Sequence, residues 1–488
     1  PITNTIKVKQ ANGSLTNQTR TLYMSHYGPM AGLKVSGQNV LPWTTNKAYA
    51  IRDANRENIR LVNQFFKWDT ANSFTEFKNL HKSVLGVPWV NTVAIGNGDP
   101  EAYYGDVTVV PNVPDSLQNS PTCETTISAL KQVVPGLPIL NGSLSACEWR
   151  SDADAPADSK NVFGPRNLPA LSRRDFVSNM NDSYWLTNPA APLTGFAKII
   201  GAEGTARSLR TRKSLTMLAK RFDGSDGLGG PNKMSREQAK QLVLDSTVHS
   251  TDLAHAATVG TTPGTNTCAP PTLVTPTPST ANPNPTPVDI APACDILRSW
   301  DKTYGVNAIG AHVWKEFWKR AQTAQGFYGT AFSAADPVNT PRAPNMGLPA
   351  VRTAMADAVN ELNAKGVALN AQFGTIQFSG INTFSGIKIP MFGTEGNQDG
   401  GFTIGRGNLA QTVGYPVNFG NSHVAVVSYE GNRLHAEGFI TYSQSTDPAS
   451  PHYSDWTRRY AQKQWLRLPF YSDEIAADRI SGPVTISE

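Results

Sequence analysis

The sequence has little of several features that would point to a specific class of protein. No stretch approaches the length of about 20 apolar residues that a membrane-spanning helix needs. The excess of positive charge is small, since the 43 lysines and arginines nearly balance the 38 aspartates and glutamates and leave a net charge of +5. The only basic cluster surrounds residues 207–213, so the composition gives no indication of nucleic-acid binding.

Several catalytic signatures are also missing. The chain contains no glycine-rich phosphate loop, no G-x-S-x-G serine motif and no H-E-x-x-H zinc motif. Dinucleotide enzymes, NTPases, the usual serine hydrolases and zinc proteases therefore receive no support. The first residue is Pro1 rather than methionine, and no secretory signal follows it, which indicates a processed or trimmed chain.

Cysteine is rare, with four in 488 residues. Cys123 and Cys147 bracket one turn-rich segment, and Cys268 and Cys294 bracket another, without the spacing of a zinc site. Two loop-closing disulfides are the simplest prediction, with four buried free thiols as the alternative. Disulfides would place the protein in an oxidising compartment, either the periplasm or outside the cell. No cofactor and no metal site are predicted.

The most informative stretch is 175–189, with the sequence DFVSNMNDSYWLTNP. We expect its first three residues to end a strand, and a cluster of small polar residues follows at 179–183, ahead of the apolar block Tyr184 to Leu186. One interpretation is a strand that delivers side-chain amides into a pocket walled by aromatic rings, where such amides can stabilise an oxyanion. The other is an Asx-turn between two strands, which these residues alone favour.

Periodicity along the rest of the chain predicts alternating groups of strands and helices. Hairpins are predicted at 3–34, with the turn at Asn12-Gly13, at 86–112 and at 423–442. Helical spacing or a capping box predicts helices at 51–68, 73–85, 195–221, 235–248, 293–326, 348–366 and in the tail. The irregular segment 113–172 and the Thr/Pro-rich segment 259–294 are predicted to be disulfide-closed insertions. This order indicates the α+β class rather than a doubly wound parallel sheet.

Five segments in the same order resemble the large β-subunit of the penicillin acylase family of N-terminal nucleophile hydrolases, closest to the branch that acts on N-acyl homoserine lactones and lipopeptides. They are TLYMSHYGPM, VPWVNTVAIGNGDPEAYYGD, VSNMNDSYWLTNP, GAEGTARSLRTRKSL and SQSTDPASPHYSDWTRRYAQKQWLRLPF. One departure is Tyr27, inserted in the family's His-Gly-Pro sequence. The resemblance implies a four-layer αββα sandwich with helical and loop insertions, in which 1–488 forms most of one β-subunit domain.

The resemblance also implies a mechanism and site residues. An amino-terminal Ser, Thr or Cys attacks the amide with its own α-amine as base, and this chain does not begin with such a residue. The implied partners are therefore an α-subunit and the nucleophile-bearing amino-terminal segment, formed from one precursor by autoproteolysis. Matching the motifs assigns Asn181 to the oxyanion hole and Arg207 to the active site, with Arg210 as its rival.

Trp68 and Trp89 correspond to residues that line the acyl-chain pocket, although packing in the core is the ordinary role of tryptophan. Some family members bind calcium through an aspartate about eleven residues after the oxyanion asparagine. Positions 191–193 here are Ala, Pro and Leu, so calcium is not expected at that place.

The leading functional hypothesis is an amide hydrolase that removes the acyl chain from N-acyl homoserine lactones and so degrades quorum-sensing signals. β-Lactams such as penicillin G are further candidate substrates. The alternative is a secreted, hairpin-rich binding or structural module without catalysis, which would need no companion chain. A third idea, catalysis by Pro1 itself, has no neighbouring pocket residues to support it.

Overall fold

The structure, a computed structural model, describes residues 1–35, 37–125, 130, 136–280, 282–410 and 414–485. The chain divides into two compact units, Pro1–Glu203 and Gly204–Glu488, and each is described by itself. No helix in the described ranges combines the length and the apolar character needed to cross a membrane.

The first unit contains short strands and, where the structure describes whole helices, two longer ones and one short one. Its strands are Ile2–Lys9 (β1), Leu15–Leu22 (β2), Met30–Ala31 (β3), Leu33–Val35 (β4), Gln38–Leu41 (β5), Tyr49–Ala50 (β6), Thr92–Ile95 (β7), Ala102–Gly105 (β8) and Ala170–Arg173 (β9). Its helices are Arg60–Asp69 (α1), Phe74–Val84 (α2) and Asp115–Gln118 (α3). The pairs β1-β2, β3-β6 and β4-β5 form antiparallel ribbons, and β7-β8-β9 is an antiparallel sheet.

Both hairpins predicted in this unit are present. The first turns at Asn12-Gly13, where Gly13 takes a φ of +82° and the Asn12 side chain accepts a hydrogen bond from the amide of Ser14. The second is shorter than expected, because β7 begins only at Thr92 and leaves Trp89 in the segment ahead of the strand.

The first predicted helix begins nine residues later than its sequence pattern suggested, at Arg60 rather than at residue 51. Asn55 and Asn58 donate side-chain hydrogen bonds to the carbonyl oxygens of Pro88 and Gly86, at 3.2 and 2.8 Å. These tertiary contacts hold the preceding residues in turns, against their helical spacing.

The core of the first unit has two parts. One is formed by Leu85, Val107, Val109, Val162, Phe163 and Leu168, and Ala170 of β9 packs against it. The other surrounds the Cys123–Cys147 disulfide, which packs against Val113 and Leu117. The disulfide prediction is confirmed for this pair. Residues 126–129 and 131–135 of the 113–172 segment lie outside the described residues.

The second unit is richer in helix. Its helices are Leu209–Asp223 (α4), Arg236–Val243 (α5), His249–Val259 (α6), Ala291–Ser299 (α7), Ala311–Ala321 (α8), Pro349–Ala364 (α9), Phe373–Ile376 (α10), Asp455–Ala461 (α11) and Ser472–Asp478 (α12). Its strands are Leu273–Val274 (β10), Val288–Asp289 (β11), Tyr328–Thr330 (β12), Arg342–Pro344 (β13), Gln377–Ser379 (β14), Gly405–Arg406 (β15), Tyr415–Val417 (β16), Phe419–Gly420 (β17), His423–Glu430 (β18), Arg433–Ile440 (β19) and Leu466–Leu468 (β20).

The longest sheet of this unit is the antiparallel β18-β19-β20, and its β18-β19 hairpin turns where the sequence predicted, between Glu430 and Arg433. The capping box predicted from Ser235 and Gln238 is present at the start of α5. β14 and β16 pair in parallel. The α+β class is confirmed, with sheets of two or three strands throughout the described ranges.

The core of the second unit is built around α8, whose side chains are buried on most of its surface. Trp314 and Trp318 stack with ring centroids 5.9 Å apart. The Cys268–Cys294 disulfide lies in the same core, which confirms the second predicted pair. Ala281, within the 259–294 segment, lies outside the described residues. The assignment of 1–488 to one subunit domain, with its two insertions, stays a prediction.

Candidate active site

The stretch 175–189 forms a loop whose first residues are not in a strand. We expected Asp175 to Val177 to end a strand, but β9 ends at Arg173. Arg173 donates two hydrogen bonds to the Asp175 carboxylate, at 2.8 and 2.7 Å, and these bonds lower the pKa of that carboxyl strongly. The carboxylate also accepts a hydrogen bond from the amide of Phe176, so the local ion pair turns the chain away from the sheet.

The two ends of the loop are held together by direct hydrogen bonds. The amide and the hydroxyl of Ser178 both donate to the carbonyl oxygen of Thr187, each at 3.0 Å. The side chain of Asn188 donates to the carbonyl oxygen of Phe176 at 2.8 Å. The aromatic block at 184–186 forms one turn of 3₁₀ helix and is buried. It therefore anchors the loop in the unit.

The tip of the loop is an Asx-turn that fixes the backbone of Asn181. The side-chain oxygen of Asn179 accepts from the amide of Asn181 at 2.8 Å, and its amide nitrogen donates to the carbonyl of Asp182 at 3.1 Å. Asn181 takes a φ of +54°, in the left-handed region that asparagine tolerates better than most residues. Its side chain is exposed at the surface of the unit.

Tyr104 on β8 connects this loop to the segment that carries Trp89. Its hydroxyl donates to the side-chain oxygen of Asn91 at 2.5 Å. Burial and the Asp106 carboxyl raise the pKa of Tyr104, while hydrogen bonds with Thr187 and Asn179 oppose that rise. No sequence motif pointed to Tyr104; its one signal was its place in a predicted strand with two consecutive tyrosines. Trp89 itself is 75% exposed, close in sequence to Asn91.

Trp68 lies in a different environment, between α1 and α2. Its ring stacks on Phe77 with a centroid distance of 4.7 Å, and its indole nitrogen donates to the Phe77 carbonyl at 3.1 Å. It also contacts the buried His81, whose Nδ1 lies 3.0 Å from the hydroxyl of Tyr103. Consecutive strand residues point to opposite faces, so Trp68 is grouped with the Tyr103 face of β8 and Asn179 with the Tyr104 face. An acyl-binding role for Trp68 stays a prediction.

A carboxyl with a perturbed pKa, that of Asp106, lies directly after the end of β8. Burial raises the pKa of Asp106 to about 6, although a hydrogen bond from Thr108 at 3.4 Å opposes the rise. Its negative charge contributes to the raised pKa of the Tyr104 and Tyr184 phenols. No sequence motif singled out this residue.

The two candidate arginines lie at the start of α4 in the second unit. Ser208 caps this helix by accepting from the amide of Thr211 at 3.2 Å. Arg207 precedes the cap, is partly buried and donates to the carbonyl of Thr205 at 2.9 Å. Arg210 is buried and donates to the side chain of Asn397 at 2.9 Å. The assignment of Arg207, with Arg210 as rival, stays a prediction.

A charged cavity of about 920 Å³ opens in the second unit between α4 and α5. Lys240 and Glu437 form an ion pair in its wall at 3.0 Å, and Trp465 lies beside them. Neither candidate arginine lines it. No group of His, Cys, Asp and Glu among the described residues could hold a metal ion, and the Ala-Pro-Leu sequence at 191–193 does not fit a calcium ligand.

The chain matches one family of known proteins over nearly its whole length. The family model for penicillin amidase matches residues 1–477. The chain is 31% identical to the acyl-homoserine lactone acylase PvdQ of Pseudomonas syringae pv. syringae over 99% of its length. It is 33% identical to the aculeacin-A acylase of Actinoplanes utahensis over 97% of its length. It spans only 57% and 56% of these two relatives.

The fold is also shared with a solved structure. A thermostable penicillin G acylase from Alcaligenes faecalis aligns with all of this chain and 82% of its own, with a TM-score of 0.53. The sequence identity is 10%, so this likeness shows the fold alone. It confirms that the chain has the fold of a penicillin acylase, as the motifs predicted.

Proposed function

Because this chain belongs to the penicillin amidase family, we propose that it is the larger part of an acylase that hydrolyses the amide bond of N-acyl homoserine lactones. The observation that carries the proposal is its 31% identity, over 99% of the chain, with an acyl-homoserine lactone acylase. The fixed loop tip also presents Asn181, whose side-chain amide is the kind of group that stabilises an oxyanion.

The proposed reaction proceeds through an acyl-enzyme. An amino-terminal Ser, Thr or Cys on a companion polypeptide attacks the amide carbonyl, and its own α-amine takes the proton. The homoserine lactone amine leaves, and water then releases the fatty acid. Each tetrahedral intermediate carries a negative oxygen, which the side-chain amide of Asn181 stabilises by donating a hydrogen bond. Arg207 is proposed as the active-site arginine of this reaction, with Arg210 as its rival.

The loop geometry supports the role of Asn181 because oxyanion donors work best when they need no reorganisation. The hydrogen bond from the backbone amide of Asn181 to Asn179 fixes the backbone at the tip, and the hydrogen bonds from Ser178 to Thr187 fix the ends of the loop. Trp89, 75% exposed in this unit, is proposed to line the acyl pocket. Trp68 is the weaker candidate for that role, because its ring is packed against Phe77 on the Tyr103 side of β8.

The companion polypeptide and the location belong to the same proposal. The relatives are much longer than this chain, which spans 57% of PvdQ, and this leaves room for an α-subunit and a nucleophile segment in one precursor. Residues 1–488 would then be most of one β-subunit domain. The two disulfides favour a periplasmic or extracellular location.

The test replaces Asn181 in the complete precursor. Asn181→Asp keeps the shape of the side chain and removes its N–H donor, so kcat for N-acyl homoserine lactone hydrolysis should fall about 10²- to 10³-fold. The matched control is Asn232→Asp, because Asn232 is exposed and has the same φ of +54°. Released homoserine lactone is measured by mass spectrometry. Activity within a few-fold of wild type in a folded Asn181→Asp variant would show that the oxyanion assignment is wrong.

A second substrate class, the lipopeptides, is favoured by the 33% identity with an aculeacin-A acylase. The same assay run on an acylated cyclic peptide would rank the two classes by kcat/KM. β-Lactams receive less support, because the likeness to penicillin G acylase extends only to the fold.

A further inference from the structure

Tyr104 is held rigidly in the three-stranded sheet of the first unit. It lies in β8, the middle strand, where it pairs with Val93 of β7 on one side and with Leu171 of β9 on the other. Its side chain is fully buried, with 0% of its surface exposed. Side chains on strands hold a functional group more precisely than side chains on loops. The phenol hydroxyl is therefore a fixed point from which neighbouring segments can be held.

The hydroxyl of Tyr104 contacts two segments that are far apart in the sequence. It donates a hydrogen bond to the side-chain oxygen of Asn91 at 2.5 Å. Thr187 and Asn179, both in the loop 175–189, direct hydrogen-bonding groups at the same phenol, and these contacts oppose the rise in the pKa of Tyr104 that burial causes. A phenol donates one hydrogen bond and can accept others, so it can hold both segments at once.

Both loop residues have a donor to offer to the phenol. The Thr187 hydroxyl is buried and has no other hydrogen-bond partner among the described residues. The side-chain nitrogen of Asn179 carries two hydrogens, of which one is donated to the carbonyl oxygen of Asp182, so the second can be donated to Tyr104. A buried hydroxyl left without a partner destabilises a fold, so the phenol is the group that satisfies this part of the loop.

Asn179 connects the phenol to the tip of the loop. Its side-chain oxygen accepts the hydrogen bond from the backbone amide of Asn181 at 2.8 Å, so a shift of Asn179 would move the residue proposed as the oxyanion donor. On the other side of the phenol, Asn91 follows Trp89 by two residues, and Trp89 is proposed to line the acyl pocket. One hydroxyl therefore joins the two parts of the proposed site that belong to the first unit.

We propose that Tyr104 is a positioning residue for the hydrolysis, whose hydroxyl holds Asn179, and through it Asn181, in a fixed position relative to the segment of Trp89. The inference rests on the oxyanion role proposed for Asn181 and adds a residue that acts through it. Because Tyr104 is fully buried, it acts on the reaction only through its neighbours. A misplacement of about 1 Å in a site can cost about 10²-fold in rate, so loss of this hydroxyl should lower kcat.

The experiment compares Tyr104→Phe with Tyr103→Phe in the complete precursor. Tyr103 is the matched control, because it is the adjacent residue of β8, is 2% exposed, and has its hydroxyl 3.0 Å from Nδ1 of His81 on the opposite face. Both variants lose one buried hydroxyl, so both should lower the thermal midpoint. Only Tyr104→Phe should lower kcat for N-acyl homoserine lactone hydrolysis, by about tenfold, while kcat of Tyr103→Phe stays within about twofold of wild type.

A double variant tests whether Tyr104 acts through Asn181. Adding Tyr104→Phe to Asn181→Asp should lower kcat no further, because the donor that the phenol positions is already absent. Hydrogen exchange of the segment 175–189, measured without substrate, should be faster in Tyr104→Phe and unchanged in Tyr103→Phe. If Tyr104→Phe does not mature, Thr187→Val removes the hydroxyl on the loop side of the contact and should give the same faster exchange.

The proposal is overturned if Tyr104→Phe keeps the wild-type kcat, if both tyrosine variants lose kcat equally, or if the losses of Tyr104→Phe and Asn181→Asp multiply. Unchanged exchange in the loop would also contradict it. A failure of the proposed function is seen separately, as a wild-type precursor that does not hydrolyse N-acyl homoserine lactones or as an active Asn181→Asp variant. In either case the exchange comparison still decides whether the phenol holds the loop.

Discussion

At the scale of the residue, two asparagines in one loop have different roles. Asn179 uses both ends of its amide to hold the tip, accepting from the backbone of Asn181 and donating to the carbonyl of Asp182. The sequence left open whether the cluster was an Asx-turn or a donor for an oxyanion. The structure contains the turn, and a turn of this kind is a way to hold a donor rigidly. The two interpretations are therefore compatible.

The raised pKa of Asp106 predicts a pH-dependent cost to stability. Its folded-state pKa of about 6 lies above the ordinary 3.8, so the folded protein holds this proton more tightly than the unfolded chain. Stability from this group is therefore lost as pH rises from about 4 to about 6, by roughly 3 kcal/mol at most. Asp106→Asn removes that cost, so its thermal midpoint should equal wild type near pH 4 and exceed it above pH 6.

The measurement is thermal unfolding of the assembled protein across pH 4 to 8. Asp69→Asn, at the exposed end of α1, provides the comparison and should show no such growing difference. A midpoint difference for Asp106→Asn that stays constant with pH would rule out the burial of an ionisable carboxyl as its cause.

At the scale of the element, the sequence predicted correctly those turns and helix ends that are fixed by neighbouring residues. The hairpin at Asn12-Gly13 and the capping box at Ser235 are fixed by residues within a few positions of each other, and both are present. The early start assigned to α1 was wrong because Asn55 and Asn58 bond to a segment about thirty residues away. Tyr104 was missed for the same reason, since two of its hydrogen-bond partners, Thr187 and Asn179, come from a distant segment.

The loop 393–401 illustrates an element whose glycines are required by packing. Gly400 has a φ of +85°, and a Cβ placed there would lie 2.5 Å from the Cβ of His249. Gly386 has a similar φ of +76° and open space around it. Gly386→Ala should therefore cost only the strain of a left-handed residue, about 1–2 kcal/mol. Gly400→Ala adds a steric clash and should lower the thermal midpoint clearly further. Equal losses in the two variants would show that backbone strain, not contact with α6, determines the conformation of this loop.

At the scale of the molecule, each compact unit has one disulfide within its apolar core. Cys123–Cys147 packs with Val113 and Leu117 in the first unit, and Cys268–Cys294 packs among the helices of the second. Both close segments rich in proline and turn residues that would bury little apolar surface by themselves. The family fold could be predicted from ordered motifs, whereas the division into two compact units had no sequence signal, because no composition change marks residue 204.

The disulfide of the second unit is expected to dominate the response of that unit to reductant. It joins residues 26 apart, and closing a loop of that length contributes about 3.5 kcal/mol in the chain-entropy model. Reduction of the wild-type protein should lower its thermal midpoint, and Cys268→Ala with Cys294→Ala should reproduce the part of that loss that belongs to the second unit. The pair Cys123→Ala and Cys147→Ala provides the matched comparison, with a separation of 24. Thiol titration must show complete reduction, and an unchanged midpoint under that condition would contradict a stabilising role for the cross-links. A loss in both pairs would show that both cross-links stabilise the folded chain.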